Sequence, residues 1–443
     1  MGLSAQNVQG GKATMENTSS PSGIKFVLRS FHYRNYRLFF SGQGISLIGT
    51  WIQNIAVSWL VYRLTNSEFL LGVVGFAGQI PAFVLTPFAG VLADRWNRRQ
   101  ILVATQTLAM LQALALAFLV LSGNVTIWHL IPLSVFLGLV NAFDTPARQS
   151  FVVDIIEKKE DLGNAIALNS SMFNGARLVG PSIAGMLIAG VGEGICFLLN
   201  GISYIAVILA LLAMRIKPRQ AKPGKTLVLN EFREGLAYTW GFSPIKYILS
   251  LLALVSLVGM PYSVLMPVFA REILKGGPHT LGFLMGASGT GALAGAYFLA
   301  SRRNTRGLET FIPAAAGIFG AGLAAFSRSG SLGLSMSLLV LTGFCMMVNM
   351  ASCNTVLQTI VDDDKRGRVM SLYTTAFMGM MPFGSLLGGG LAARIGAADT
   401  VLLGGISCIA GALVFAAKLP ALRKAVAARQ TGTDCGPPDA RSI

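Results

Sequence analysis

A chain of 443 residues that is 53% hydrophobic and only 12% charged, with a mean hydropathy of +0.62, has too few charges to cover a water-facing surface, since soluble domains carry roughly a quarter charged residues. That excludes a soluble enzyme or a soluble binding domain. The formal charge of +16 does not indicate nucleic acid, because the 35 Lys and Arg gather in alternate breaks between apolar runs.

Up to about residue 23 the chain is rich in Gly, Ser, Asn and Thr without an apolar core, which predicts a disordered tail over 1–30 and not a signal peptide. Apolar runs of about 20 residues then recur, the length of helix that crosses ~30 Å of hydrocarbon. They predict spans at 38–62, 69–92, 101–121, 128–146, 164–190 and 195–214. A polar connector at 215–245 follows, carrying Lys217, Pro218, Arg219, Lys222, Pro223 and Lys225 ahead of an amphipathic stretch from Glu231 to Trp240. It reads either as a solvated linker against lipid headgroups or as a regulatory docking segment. A second set of spans falls at 246–270, 280–301, 308–327, 332–357, 368–392 and 400–418, with a tail from 420 to 443. The expected fold class is an all-α membrane protein, twelve transmembrane helices in two six-helix bundles at 31–214 and 246–419.

If the amino terminus is cytoplasmic, the inward breaks hold about 29 Lys and Arg, whereas the outward ones hold about five: Arg63, Arg271, Lys275, Arg328 and Arg394. Basic residues accumulate on the cytoplasmic side, so both termini are expected there. Trp59, Trp128, Trp96 and Trp240 sit near span ends and suit interfacial anchors, while Trp51 lies mid-span and suits packing. Cys196, Cys345, Cys353, Cys408 and Cys435 form no CxxC pair and four lie in apolar runs, so small core residues are expected. His32, His129 and His279 are dispersed, and Gly286, Gly289 and Gly291 lie inside a span with no preceding strand. No metal site, cofactor fingerprint or catalytic triad is therefore expected.

A shift of about 208 residues superimposes Asn141 on Asn349, Asp154 on Asp362 and Gly180 on Gly388, and a nearby shift brings Leu71 and Gly72 onto Leu281 and Gly282. Duplicated parallel halves place a substrate cavity at their shared interface, near mid-bilayer.

Between spans 2 and 3 the chain reads Gly90, Val91, Leu92, Ala93, Asp94, Arg95, Trp96, Asn97, Arg98, Arg99. Gly90 admits a neighbouring helix, and Asp94 can meet both a basic side chain and the positive end of a helix. This loop resembles the signature of the major facilitator superfamily, with Asn97 where the family usually has Gly; Asn also tolerates the left-handed turn. The resemblance covers about Phe31 to Leu419 and implies the major facilitator fold, two pseudo-symmetric bundles, with Gly90, Asp94, Arg95, Arg98 and Arg99 as a gating latch. The corresponding loop of the second half keeps Gly295, Arg302, Arg303 and Arg306 without the Asp, so an asymmetric latch is expected. Span 5 carries Gly175, Gly180, Pro181 and Gly185, which resembles the superfamily's antiporter motif and also suits plain helix packing. At the inner end of span 4, Asn141, Asp144, Pro146, Arg148 and Gln149 form a polar cluster, echoed by Asn349, Gln358, Asp362, Asp363, Asp364, Arg366 and Arg368. Asp144 and Arg148 read as gating partners or as solvated loop charges. The run Tyr33 to Thr65 and the pattern Asn141 to Gln149 are most similar to the bacterial branch of siderophore exporters and macrolide-efflux pumps.

Arg177 lies two to three turns into span 5, sharing a face with Asn169 and Phe173, and a charge there needs a wet cavity or a partner. It either holds an anionic group or makes a structural pair with helix-end carbonyls. With Gln43, Asn54, Gln79, Asn200, Tyr262, Asn349 and Tyr373 it makes the candidate substrate-binding set, to which Met346, Met350, Met378 and Met381 add a soft surface that also suits core filling. All 19 acidic residues lie in loops or near span ends, which leaves Asp144, Glu68 and Asp94 as candidate proton carriers. The expected function is secondary active export of small amphipathic molecules of the drug or siderophore class by alternating access, with proton-coupled antiport implied by the resemblance. An uptake permease or lipid flippase, and a receptor that transports nothing, are the alternatives. The expected partners are the small-molecule substrate, protons and the lipid bilayer of a bacterial inner membrane, with a monomeric chain, no cofactor and no nucleic acid. Cysteines placed at Arg95 and at Lys222 should react with an impermeant maleimide only from the cytoplasmic side; labelling from opposite sides would break the topology.

Overall fold

The computed structural model describes residues 28–215, 237–302, 307–362 and 365–430, apart from the side chains of Pro87, Val91, Ala93, Asp94, Arg95, Ala421 and 425–430. Residues 1–27 and 431–443, most of the connector, Arg303, Arg306, Asp363 and Asp364 lie outside the described residues, whereas the expected tail from 420 is helical to Gln430. No strand occurs among the described residues. In hydrocarbon a backbone N–H or C=O has no water to bond, so continuous helices are the open-chain solution.

Helices α1 (Arg34–Thr65), α2 (Glu68–Arg95), α3 (Arg98–Leu121) and α4 (Ile127–Ile155) come first. The next, Lys159–Ala213, has 55 residues and would be about 80 Å long if straight. It folds back at Gly192, whose φ of 80° and ψ of 172° are open to glycine and costly for a residue with a Cβ. It therefore supplies two crossings, α5 (159–191) and α6 (193–213). α7 (Ser243–Ile273), α8 (Pro278–Ala300), α9 (Leu308–Ser327), α10 (Leu332–Ile360), α11 (Arg366–Ile395) and α12 (Ala397–Gln430) follow. Eleven helices among the described residues are long and apolar enough to cross a membrane, and the folded one brings the crossings to the expected twelve.

Side-chain caps start two of the helices. Ser67 accepts from the Leu70 amide at the head of α2, and Asn97 accepts from the amides of Arg99 and Gln100 at the head of α3. Proline bends other helices without ending them. α4 continues past Pro146 to Ile155, beyond the expected end at 146, because Ala147, Phe151, Val152 and Ile155 bury a further apolar face. α7 passes through π and 3-10 turns around Pro261 and Pro267, and α11 is interrupted before Pro382.

We call the side that carries Arg34 and the turns at 96–97 and 156–158 the terminus face, and the side that carries the turns at 66–67, 192 and 274–277 the far face. Helix pairing repeats six helices on: α2 packs on α4 and α3 on α4 and α6, while α8 packs on α10 and α9 on α10 and α12. Gly180 of α5 lies against Trp51 of α1, and Gly388 of α11 lies against Pro261 of α7, so the superimposed glycines occupy equivalent contacts. The two halves meet through α2 against α11 and α5 against α8. A Cβ on Gly72 would stand 2.9 Å from the Cα of Gly389, and one on Gly282 would stand 2.9 Å from the Cα of Gly185. Such contact requires small residues on both helices. Both seams lie toward the far face, whereas Gly90 and Gly175, nearer the terminus face, have open space beside them.

Within the second half, a Cβ on Gly343 of α10 would strike the carbonyl oxygen of Ser288 on α8. Gly343→Val should overpack this crossing and cost about 1–3 kcal/mol, read as a lower thermal unfolding midpoint in detergent. Gly390→Ala, where a Cβ meets nothing within 4 Å, should leave the midpoint in place; equal midpoints for the two variants would dismiss the close-packing argument.

Candidate functional site

The seam between α5 and α8 ends midway along α5. A Cβ on Gly289 would lie 3.1 Å from the Cα of Leu178 and 3.3 Å from the carbonyl oxygen of Arg177. Terminus-ward of that point Gly175 faces open space and Phe173 is 43% exposed. Arg177 thus stands where the two halves part. Its guanidinium carbon is 6.0 Å from the centroid of Trp51 on α1, and Trp51 meets the Phe173 ring edge-on at 6.1 Å. Asn54, three residues after Trp51 and so near it on the α1 surface, is exposed. Among the described residues no carboxylate lies within ion-pair distance of Arg177, and its guanidinium donates no hydrogen bond. Its five N–H donors therefore meet no protein acceptor among the described residues, and the nearest partner is an aromatic face.

The other candidate residues occupy different places. Gln79 sits on the opposite seam, where its amide donates to the Gly75 carbonyl at 3.0 Å and reaches Ser385 Oγ of α11 at 3.5 Å, beside the rings of Phe76, Phe83 and Phe383. Asn200 is fully buried and donates to Gln53 at 2.8 Å; Gln53 donates to Gln112 at 2.9 Å, which reaches the Leu133 carbonyl at 3.2 Å. That relay ties α6, α1, α3 and α4 into one bundle. In the second half Tyr262 bonds Ser288 at 2.9 Å, Asn349 donates to the Ile312 carbonyl at 2.9 Å, and Tyr373 donates to the Met350 carbonyl at 3.0 Å. Gln43 is buried, as is Met346, while Met378 is exposed. The structure therefore sets Trp51 and Phe173 beside Arg177, leaves Asn54 exposed on α1 three residues from Trp51, and sets Gln43, Asn200, Tyr262, Asn349 and Tyr373 within the packing of each half. Trp51 is the residue that sequence reasoning assigned to packing; its mid-span position was the available signal.

The motif residues divide between packing and charge pairing. Gly180 receives Trp51, and Pro181 and Gly185 receive Gly282. At the terminus face, Arg98 grips both oxygens of Asp154 at 3.0 Å and the Ser150 carbonyl at 3.2 Å, while Arg99 donates to the Leu212 carbonyl at 2.8 Å. The loop thus fastens α3 to α4 and α6. The side chains of Asp94 and Arg95, two of the residues named for the latch, lie outside the described ones. Just before α1, Tyr33 donates to Asp161 at 2.6 Å, and that carboxylate pushes its hydroxyl up to about 12, so it stays a donor at any physiological pH.

The far face is closed by contacts between the halves. Tyr62 donates to Glu272 at 3.4 Å, Arg271 donates to Asn66 at 2.9 Å, and the Arg271 guanidinium stands 5.8 Å from the Tyr62 centroid. Beside them Arg63 holds Glu193 through two bonds of 2.8 and 3.3 Å, bracing α1 against the fold at Gly192.

Comparison with known proteins agrees with this geometry. Residues 28–434 match the family described as transmembrane secretion effector. The chain is 27% identical over 401 residues to the staphyloferrin A transporter of Staphylococcus aureus, covering 86% of this chain and 95% of that one. It is 29% identical over 368 residues to the multidrug efflux pump Tap of Mycolicibacterium fortuitum (80% and 88% covered) and 26% identical over 398 residues to macrolide efflux protein A of Streptococcus pyogenes (85% and 96% covered). In fold it is similar to a bacterial homologue of the lysosomal transporter Spinster, with a TM-score of 0.64 at 14% identity over 90% of this chain and 97% of the other. It is similar also to a bacterial homologue of the iron transporter ferroportin, with a TM-score of 0.65 at 15% identity over 88% and 98%. The chain is thus a multi-pass membrane transporter and not an enzyme, and it belongs to the transmembrane secretion effector family of the major facilitator superfamily.

Proposed function

We propose that this transporter exports small amphipathic molecules of the drug or siderophore class across a bacterial inner membrane by alternating access, driven by proton antiport. The carrying observation is Arg177, a mid-membrane guanidinium between Trp51 and Phe173 with no carboxylate partner among the described residues. A charge at that depth costs about 2.5–3.5 kcal/mol even on lenient scales. It is tolerable in a wet cleft, where an acceptor group on the substrate completes its hydrogen bonds while the aromatic rings take the apolar part.

The basic residues assign the terminus face to the cytoplasm. On that reading the cleft is open inward and shut outward by Tyr62, Glu272, Arg271 and Asn66, the state in which a substrate enters from inside. Export follows when the far-face contacts yield and the halves, 31–214 and 246–419, rock about the α2–α11 and α5–α8 seams. The names of the relatives, a siderophore transporter and two efflux proteins, support a substrate of this class.

Everted membrane vesicles carrying the protein should accumulate tritiated erythromycin or a carboxylate-bearing siderophore when energised, and an uncoupler should release it; movement in the opposite sense would favour an uptake permease. Loss of a charge-assisted hydrogen bond costs about 1.5–3 kcal/mol, so Arg177→Ala should weaken transport of carboxylate-bearing substrates by roughly ten- to a hundredfold, at unchanged membrane abundance. Full transport of those substrates by Arg177→Ala would remove the binding assignment.

A further inference from the structure

A second buried charge lies apart from the cleft. Asp144 of α4 is 4% exposed and stands 11 residues before the helix ends at Ile155, which is about 16 Å along its axis. Its Oδ1 accepts from Thr105 Oγ1 at 2.9 Å and from Gln106 Nε2 at 2.7 Å, both on α3, and its Oδ2 is 3.4 Å from Arg148 Nε. Tyr204 of α6, itself bonded to Thr50 of α1 at 3.5 Å, is within electrostatic reach of both charges. These are the titratable and charged groups facing Asp144 among the described residues.

Two details fit this carboxyl to gain and lose a proton. The Thr105 hydroxyl is also 3.1 Å from the Leu102 carbonyl oxygen, yet it has one hydrogen to donate. With Asp144 ionised, that hydrogen goes to the carboxylate. With Asp144 protonated, the acid donates to Thr105 Oγ1, and Thr105 turns its hydrogen to Leu102. The hydroxyl is satisfied in both states. Beside it, Gln106 Oε1 is buried without a hydrogen-bond partner; with its amide turned over, it would offer the single acidic O–H an alternative acceptor to Thr105. Arg148 keeps 20% of its side chain exposed and stays hydrated when its partner is neutralised.

Thr105 also lines an open, mostly apolar groove of about 660 Å³ between α3 and α4, walled by Leu108, Phe136 and Phe143 and reaching Asn97 and Gln100 on the terminus face. From Thr105 to Asn97 is eight residues of helix, about 12 Å. We propose that Asp144 is the proton-carrying residue of this transporter, with the Thr105 hydroxyl as its hydrogen-bond partner in both charge states. One proton binds to one carboxylate, so the neutral Asp144–Arg148 pair becomes a single positive charge. Coupling then requires that the two orientations of the carrier bind this proton with different affinities.

This inference rests on the proton-driven reading of the export function, and two measurements separate their failures. In proteoliposomes, a one-unit pH gradient should sustain about a tenfold erythromycin ratio for one-to-one exchange. Asp144→Asn should collapse that ratio to about one while erythromycin still equilibrates across the membrane, and Asp144→Glu should restore driven accumulation. Driven accumulation by Asp144→Asn would overturn the proposal, and so would loss of downhill and driven flux together at normal abundance, which marks a structural residue. Independently of any substrate, infrared difference spectra of the purified protein between alkaline and mildly acid buffer should show a protonated-carboxyl band. Asp144→Asn should lack that band and Thr105→Val should shift it. A band unchanged in Asp144→Asn would overturn the assignment whatever is transported, whereas a wild-type protein with the band and no flux would sink only the export reading.

Discussion

Close backbone contact between glycines on the two halves is the constraint on which the remaining geometry depends. Gly72 against Gly389 and Gly282 against Gly185 bring α2 onto α11 and α5 onto α8 at distances that no larger residue permits. Lipid tails are as apolar as leucine, so these helices gain nothing from hydrophobic exclusion and associate through close packing and buried polar bonds. Because both seams lie toward the far face, the halves diverge toward the terminus face, and Arg177 falls at the vertex. If the halves rock as proposed, a hinge placed off-centre in this way turns a small rotation into a wide change at the open end while leaving each half intact.

Each half is held internally by means that the seams lack. Gln53, Asn200, Gln112 and the Leu133 carbonyl form a polar relay through four helices of the first half, and Arg98 chelates Asp154 at its base. Hydrogen bonds inside a membrane bundle contribute about 0.6 kcal/mol on average, so the relay sets which helices belong together more than it sets total stability. The far-face contacts, Tyr62 to Glu272 and Arg271 to Asn66, are by contrast single and partly exposed. Bonds of that kind are weak enough to break in a transport cycle.

The fold was legible because the bilayer imposes length and composition on every crossing. The twelve apolar runs, the basic breaks and the superimposed pairs Gly180 with Gly388 and Leu71–Gly72 with Leu281–Gly282 all correspond to observed helices and contacts. Legibility stopped where side chains choose partners. Gln43, Asn200, Tyr262, Asn349 and Tyr373 were named as a binding set on polarity alone, and polarity does not distinguish a residue turned to a cleft from one bonded to the next helix. The pair Asn141 and Asn349 makes the point: they are equivalent by repeat, yet Asn141 is exposed and Asn349 is buried on the Ile312 carbonyl. Trp51 does pack, on Gly180, as its mid-span position indicated, but its contact with Arg177 was not legible because the two lie more than a hundred residues apart in the chain.

What separates function from structure among these mid-membrane polar groups is hydrogen-bond accounting. Asn200 and Asn349 have partners that any orientation of the halves would preserve, since both partners belong to the same bundle. Arg177 has donors with no acceptor, and the Asp144 cluster has an acceptor, Gln106 Oε1, with no donor. A buried unmet acceptor costs free energy, whereas the half-buried Arg177 lacks a protein acceptor without being sealed from solvent; on the proposed reading an acceptor-bearing molecule meets the latter and a proton at Asp144 the former. The two groups lie in different places, one on α5 and one between α3 and α4 within the first half, so in the proposed antiport substrate and proton need not compete for a single group. Exchange between them then has to run through the position of the first half as a whole, which places the burden of coupling on the same glycine seams that fix where the cleft opens.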